Sequence, residues 1–197
     1  MDKAKKKIET DDRFEIRLSG SGGQGMVFAG MILAEAIGIN DGKNVVQTQS
    51  YGPEARGGAS RSDVVVSSKE IYYPKPIKLD LILCLTQEAC DTYHQALKED
   101  GILIVDSGLV NQLPASEVHA FPFTQLARDR VGTPMVANVI ALGTIASLTK
   151  IVSKKGLSEA VQRRAPKGTE EKNLKALELG FELARKKRGR KTSSSAE

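Results

Sequence analysis

Apolar and polar residues alternate along Phe14-Glu-Ile-Arg-Leu18, which predicts a strand with Phe14, Ile16 and Leu18 on one face. At Met26 the period becomes helical and stays so to Ile39. Asn40-Asp-Gly42 marks a turn, and Asn44-Val-Val-Gln-Thr-Gln49 a second strand. Ser62-Asp-Val-Val-Val-Ser-Ser68 predicts a third strand that turns at Ser68-Lys69 into Glu70-Ile-Tyr-Tyr73, an antiparallel hairpin ended by Pro74 and Pro76. Leu79-Asp-Leu-Ile-Leu-Cys-Leu85 is almost wholly apolar, as expected of a parallel strand covered on both faces. A helix over 87–97, a strand over 101–106 and a short strand over 118–121 follow.

From Pro134 the pattern is helical. Residues 135–152 carry few charges and many small side chains (Ala137, Ala141, Gly143, Ala146), so this helix is buried or packs tightly against another subunit. Helices over 157–164 and 169–187 complete the chain, the last with a Thr169 cap and acids in its first turn. Strands alternating with helices predict an α/β fold: a Rossmann-like, doubly wound, mostly parallel sheet with an inserted β-hairpin and a C-terminal helical segment. One domain is expected over 13–184, after a charged, disordered lead-in (1–12) and before a basic, Ser-rich tail (185–197).

Composition narrows the classes. The chain has 197 residues, enough for one well-cored domain and too few for two. No apolar run reaches membrane-spanning length and the N-terminus lacks an apolar signal core, so no membrane and a cytoplasmic location are expected. The net charge is +5, yet the six cations of Arg185-Lys-Lys-Arg-Gly-Arg-Lys191 less Glu197 account for all of it. The body, 1–184, therefore sums to zero and has no basic face to track nucleic acid.

Catalytic chemistry is missing from the pattern. The two cysteines, Cys84 and Cys90, fall short of the four thiolates of an iron–sulfur cluster, and their spacing is not C-x-x-C. Cys84 reads as a core residue of its strand. His94 and His119 have no sequence neighbour that suggests metal ligation or base catalysis. There are no paired carboxylates, no nucleophile elbow, no P-loop lysine and no zinc spacing. The chain is expected to help build a site without holding a catalytic or metal-binding residue itself. Asp106-Ser107 faces that site or caps a turn, and Asn138 is a satisfied buried amide or a ligand contact.

The strongest local signal is Leu18-Ser-Gly-Ser-Gly-Gly-Gln-Gly-Met26, between a strand and a helix. Gly20, Gly22 and Gly25 match G-x-G-x-x-G there. Glycines permit a tight turn and the close approach of an anion, which the free N–H groups and the helix dipole favour. The alternative is a glycine turn that only packs the first helix on the sheet. Dinucleotide-binding folds usually end the second strand with an acid that holds the ribose hydroxyls. This chain has Gln47 and Gln49, which disfavours a nicotinamide or flavin dinucleotide in the usual pose. Beyond that strand, Ser50-Tyr-Gly-Pro-Glu-Ala-Arg-Gly-Gly-Ala-Ser-Arg61 offers arginines, a tyrosine and glycines for an anion or a partner.

Gly20-Ser-Gly-Gly-Gln-Gly25, Ala29-Gly-Met-Ile-Leu-Ala-Glu-Ala36 and Gln49-Ser-Tyr-Gly-Pro-Glu-Ala-Arg-Gly-Gly58 running into Ser60-Arg-Ser-Asp63 together resemble the gamma subunit of 2-oxoacid:ferredoxin oxidoreductases. Asp80-Leu-Ile-Leu, Val105-Asp106 and Asn138-Val-Ile-Ala-Leu-Gly143 are similar too. The resemblance spans 13–184, and the form of the second glycine segment is most like the 2-oxoglutarate branch. It implies oxidative decarboxylation of a 2-oxoacid to acyl-CoA, with electrons passed to ferredoxin. Thiamine diphosphate, magnesium and iron–sulfur clusters are then expected on partner subunits, the thiamine-binding alpha and beta chains and a ferredoxin-like delta chain. The isolated chain is expected to be inactive. Gly20, Gly22, Gly23, Gln24, Gly25, Tyr51, Gly52, Arg56, Gly57 and Gly58 are the expected cofactor-binding set, meeting coenzyme A or only a neighbouring subunit. A free-standing nucleotide-binding regulatory domain is the other reading.

Overall fold

The computed structural model describes residues 13–51, 59–114 and 117–193. Six strands, β1 (Phe14–Ser21), β2 (Asn44–Tyr51), β3 (Ala59–Ser67), β4 (Leu79–Cys84), β5 (Leu97–Asp106) and β6 (Val118–Phe121), form one sheet in the order β2-β3-β1-β4-β5-β6. β1, β4, β5 and β6 are parallel, and β3 is antiparallel to both β1 and β2. β2 therefore points the same way as β1, and only β3 runs against the sheet.

The hairpin is present but made of other strands than the sequence predicts. β3 pairs along its length with β2, from Asn44↔Ser67 to Tyr51↔Ser60, and Glu70–Tyr73 forms no strand. Val64, Val65 and Val66 at the centre of β3 are buried, whichever face they point to. A strand buried on both faces is satisfied by two full neighbours, which β1 and β2 supply and a four-residue segment stopped by prolines does not.

The sheet divides the core in two. Ile16, Leu18, Val64, Leu81 and Leu83 face the larger layer, which holds α1 (Met26–Glu35), α4 (Ala137–Thr149), α5 (Lys154–Arg164) and α6 (Glu170–Ser193). Leu79, Ile82, Leu103 and Val105 face the smaller layer with Ala89 and Cys90 of α2 (Gln87–Tyr93). Cys84 is fully buried there, as read.

Several bounds differ from the pattern. α1 continues as a π-helical turn over Ala36–Asn40. α2 closes in a 3-10 turn over His94–Ala96, and β5 already begins at Leu97, which pairs with Leu79 across an irregular register. A helical segment absent from the sequence reading, α3 (Phe123–Leu126) with a π turn over Ala127–Val131, ends at Gly132 with φ 86°. Its signal was the four-residue spacing of Phe123, Ala127 and Val131, all buried.

Every residue of α4 except Leu148 is buried, which settles what its small side chains do. They admit α6 of the same chain. A Cβ added at Gly143 would lie 2.4 Å from the Leu177 carbonyl oxygen, and one at Gly180 2.0 Å from that of Ile140. The helix does not present a small-residue face to another subunit; of the stretch 135–152, Met135 is the large apolar residue left exposed. α6 runs through the basic stretch to Ser193, past the bound at 187. The expected lead-in, 1–12, lies outside the described residues.

Candidate functional site at the carboxyl edge of the sheet

The first glycine segment leaves β1 at the edge where parallel strands end, the edge that meets ligands in open α/β sheets. The backbone at Ser21 is held by Gln24, whose side-chain Oε1 accepts from the Ser21 N–H at 2.8 Å while the Gln24 backbone N–H donates to the Ser21 carbonyl at 3.2 Å. The Gln24 side chain lies over Gly20, where an added Cβ would sit 2.4 Å from Oε1. Gln24 is therefore a brace for the turn. Gly22 and Gly23 are exposed, and Gly23 has φ 91°.

Gly25, at φ 71°, is the N-cap of α1 and brings no capping side chain; the first turn of α1 holds no acid either. Its carbonyl accepts twice, from the Ala29 N–H at 2.9 Å and from Asn138 Nδ2 at 3.0 Å. A Cβ at Gly25 would meet that Nδ2 at 2.4 Å. Asn138 is thus the satisfied buried amide, fastening the start of α4 to the glycine loop. An open groove of about 470 Å³ beside Gly25 is lined by Phe28, Met135, Val136, Asn138 and Lys172.

Ladder pairing brings the strand ends that flank the second glycine segment alongside. Ser21 is paired with Ala59, and Ser60 with both Gly20 and Tyr51, so β2 ends and β3 begins at the point where the first loop departs. Gly52, Arg56, Gly57 and Gly58 lie outside the described residues, as does the Tyr51 side chain.

The missing acid on β2 now has a structural counterpart. β3 stands between β1 and β2, so the end of β2 is two strand spacings from the glycine loop, about 10 Å, instead of one. Gln47 Nε2 donates to Ser62 Oγ at 2.8 Å, and Ser62 presses on Gly30 of α1, where a Cβ would meet Oγ at 2.0 Å. Gln47 serves helix packing.

A charged cluster missed by the sequence reading lies under this edge on the opposite face. Arg17 donates from Nε and Nη2 to the two carboxylate oxygens of Asp63, at 2.7 and 2.9 Å, and both residues are buried. Arg61 approaches the same carboxylate at 3.9 Å, and both guanidinium groups lie over the Tyr93 ring, at 4.9 and 5.5 Å. The available signal was the paired position of Arg17 and Asp63, which requires knowing that β1 and β3 are neighbours.

Asp106 is fully buried and holds a turn: it accepts from Gly108 N–H at 3.0 Å, Thr124 N–H at 2.8 Å and Thr124 Oγ1 at 2.5 Å. His94 Nδ1 is 2.9 Å from the Cys90 carbonyl at the end of α2. A hydrogen bond with Cys90, reinforced by burial, holds the Cys84 thiol protonated well above the usual thiol range. Among the described residues no group of three His, Cys, Asp or Glu side chains is placed to hold a metal, and no helix is long and apolar enough to cross a membrane.

Residues 15–183 match the family model for pyruvate ferredoxin/flavodoxin oxidoreductase. The chain belongs to this family. It is 50% identical to the 2-oxoglutarate synthase subunit KorC of Methanocaldococcus jannaschii over 88% of this chain and 95% of that one. Among solved structures, the gamma subunit of a keto/oxoacid ferredoxin oxidoreductase from Geobacter sulfurreducens is 48% identical and superposes with a TM-score of 0.81, over 88% of this chain and 97% of that one. The fold also matches part of the 2-oxoglutarate:ferredoxin oxidoreductase of Magnetococcus marinus, with TM-score 0.77 at 23% identity, over 88% of this chain and 31% of that one. The gamma subunit is thus a component of a 2-oxoacid:ferredoxin oxidoreductase, of the 2-oxoglutarate:ferredoxin oxidoreductase family.

Proposed function

We propose that the two glycine-rich segments of this gamma subunit form part of the active-site wall of a 2-oxoglutarate:ferredoxin oxidoreductase and contact coenzyme A there. The observation that supports the reading is the pairing of Ser21 with Ala59, which sets the strand end entering the first segment beside the strand start that follows the second. The first offers what a pyrophosphate needs: exposed Gly22 and Gly23, a left-handed Gly25 and a helix start with no side-chain cap. Arg56 of the second would supply a fork of donors for phosphate oxygens. Coenzyme A, unlike a dinucleotide in the usual pose, has no need of an acid at the end of β2. The fold-matched Magnetococcus marinus enzyme was solved with 2-oxoglutarate, coenzyme A and succinyl-CoA bound, which supports the substrate class.

In this reading, thiamine diphosphate held by the alpha and beta subunits would supply the decarboxylation chemistry, and a ferredoxin-like delta subunit would pass the electrons to ferredoxin. This chain binds and orients the acyl acceptor and excludes water around it; it donates no proton and carries no electron. Its place is the cytoplasm, with its partners.

Gly22→Asp puts a carboxylate at the expected pyrophosphate position, and Arg56→Ala removes the guanidinium fork. In the assembled enzyme, each should raise the KM for coenzyme A roughly tenfold or more, leave the KM for 2-oxoglutarate within about twofold, and leave assembly intact. An unchanged coenzyme A KM in both intact variants would remove the proposal.

A further inference from the structure

The connection between β3 and β4, residues 68–78, is neither strand nor helix, yet Arg13 and Glu15 hold it at four backbone positions. Arg13 donates from Nη1 to the Tyr73 carbonyl and from Nη2 to the Lys75 carbonyl, both at 2.6 Å. Glu15 Oε2 accepts from the N–H groups of Ile77 at 2.6 Å and Lys78 at 2.8 Å. Arg13 and Glu15 are themselves an ion pair, and the Glu15 side chain is only 4% exposed. The two charges at the amino end of β1 thus nail an extended strap to the sheet.

What the strap displays is unusual for a free surface. Tyr72 is 86% exposed, Ile77 77% and Tyr73 53%, within six residues that also include Pro74 and Pro76. Large apolar side chains grouped in the open mark contact surfaces, and tyrosine is enriched in them. Here the backbone ordering that binding demands is already met by Arg13, Glu15 and the prolines. The lysines Lys69, Lys75 and Lys78 frame the apolar group, against a single acid, Glu70, which accepts from the Tyr72 hydroxyl at 3.0 Å.

We infer that the strap Lys69–Lys78 is a preformed docking element for an acidic surface of another subunit of the oxidoreductase, with Tyr72, Tyr73 and Ile77 as its apolar anchors. The positive frame selects the partner: a second copy of this chain would set lysines against lysines, whereas an acidic rim around an apolar slot complements both features. The position is separate from the glycine loops. Glu15 and Gly22 stand at opposite ends of β1, roughly 23 Å apart along the strand, so docking here leaves the ligand-facing edge free. The inference does not depend on coenzyme A binding, and its readout is assembly, not KM.

The test uses the complex isolated from its native cells through a tag on this chain. A photo-reactive amino acid in place of Tyr72 should crosslink to an Asp- and Glu-rich surface of a different subunit. Tyr72→Ala combined with Ile77→Ala should weaken retention of that subunit roughly tenfold or more. Lys75→Glu combined with Lys78→Glu should weaken it too, with opposite salt dependence: added salt should loosen the unmodified complex but partly restore the reversed one. These side chains are exposed, so the variants should melt with the unmodified chain. A crosslink to a second copy or within the chain, unchanged retention across the salt range, or a fall in melting temperature matching the loss of partner would each overturn the inference.

Discussion

Arg17 shows how a single position depends on its surroundings. In the alternating run 14–18 it occupies what reads as the solvent side, but β1 is central and α2 and Tyr93 close over that side. A buried guanidinium needs a counter-charge, and Asp63, directly across the β1–β3 ladder, provides two hydrogen bonds in the fork geometry that Arg and a carboxylate share. Asp63→Asn leaves that charge uncompensated and should cost about 3 kcal/mol, lowering the melting temperature of the purified subunit by roughly 6–12 °C. Replacing both, Arg17→Met with Asp63→Leu, should recover most of the loss. Glu35 is a second such position: Arg163 and Arg164 both bond to its carboxylate. Burial alone would raise its pKa from the ordinary 4.5, but the hydrogen bonds and charges of the two arginines together hold it below that value. A depressed folded-state pKa contributes stability that is present above 4.5 and lost as pH falls through the lower folded value. Glu35→Gln should therefore cost about 1 kcal/mol at pH 7, the half-exposed arginines being screened by water, and the gap to the unmodified chain should close below pH 4.5 in pH-dependent denaturation.

At the scale of elements, the deciding contact is α4 against α6. Both helices carry small residues where they cross, and neither Gly143 nor Gly180 has room for a methyl group. Gly180→Ala should force the helices apart and destabilise the subunit by about 2 kcal/mol, more than the helix propensity of alanine returns; Ser147→Ala, a smaller change on the same helix, should stay within about 1 kcal/mol. Denaturant titration followed by circular dichroism separates the two. α1 presents the opposite case. Its glycine N-cap brings no side-chain hydrogen bond and its first turn no acid, so the helix start at the carboxyl edge of the sheet keeps free N–H groups. The same element is otherwise well fastened, through Gln24 to β1, through Asn138 to α4 and through Gly30 against Ser62. A rigid loop with an open end suits a binding role.

Over the whole molecule, one topological change has the widest effect. By inserting β3 between β1 and β2, the fold moves the end of β2 away from the glycine loop and at the same time brings the start of β3 beside it. The amino end of the same sheet carries the strap, so the proposed ligand-facing edge and the inferred docking edge lie at opposite ends of β1. Of the two expectations for the small-residue helix, burial holds, because α4 is enclosed by its own chain.

The sequence by itself determined the elements whose patterns are local: β1, β4 and β6, the start of α1 at Gly25, the helical C-terminal third, the α/β class and, through its paired glycine segments, the family. Its periodicity says which side chains must leave water, since a strand or helix buries the face its spacing marks. Residue pairs brought together from distant positions were decided only by the tertiary structure: Ser21 with Ala59, Arg17 with Asp63, Asn138 with Gly25, Gly143 with the backbone of α6. Sequence spacing carries no information on strand order, and β3 fits as readily beside a following strand as beside β2. The sheet chose the partner that buries both faces of its valines, and the edge carrying the candidate site follows from that choice.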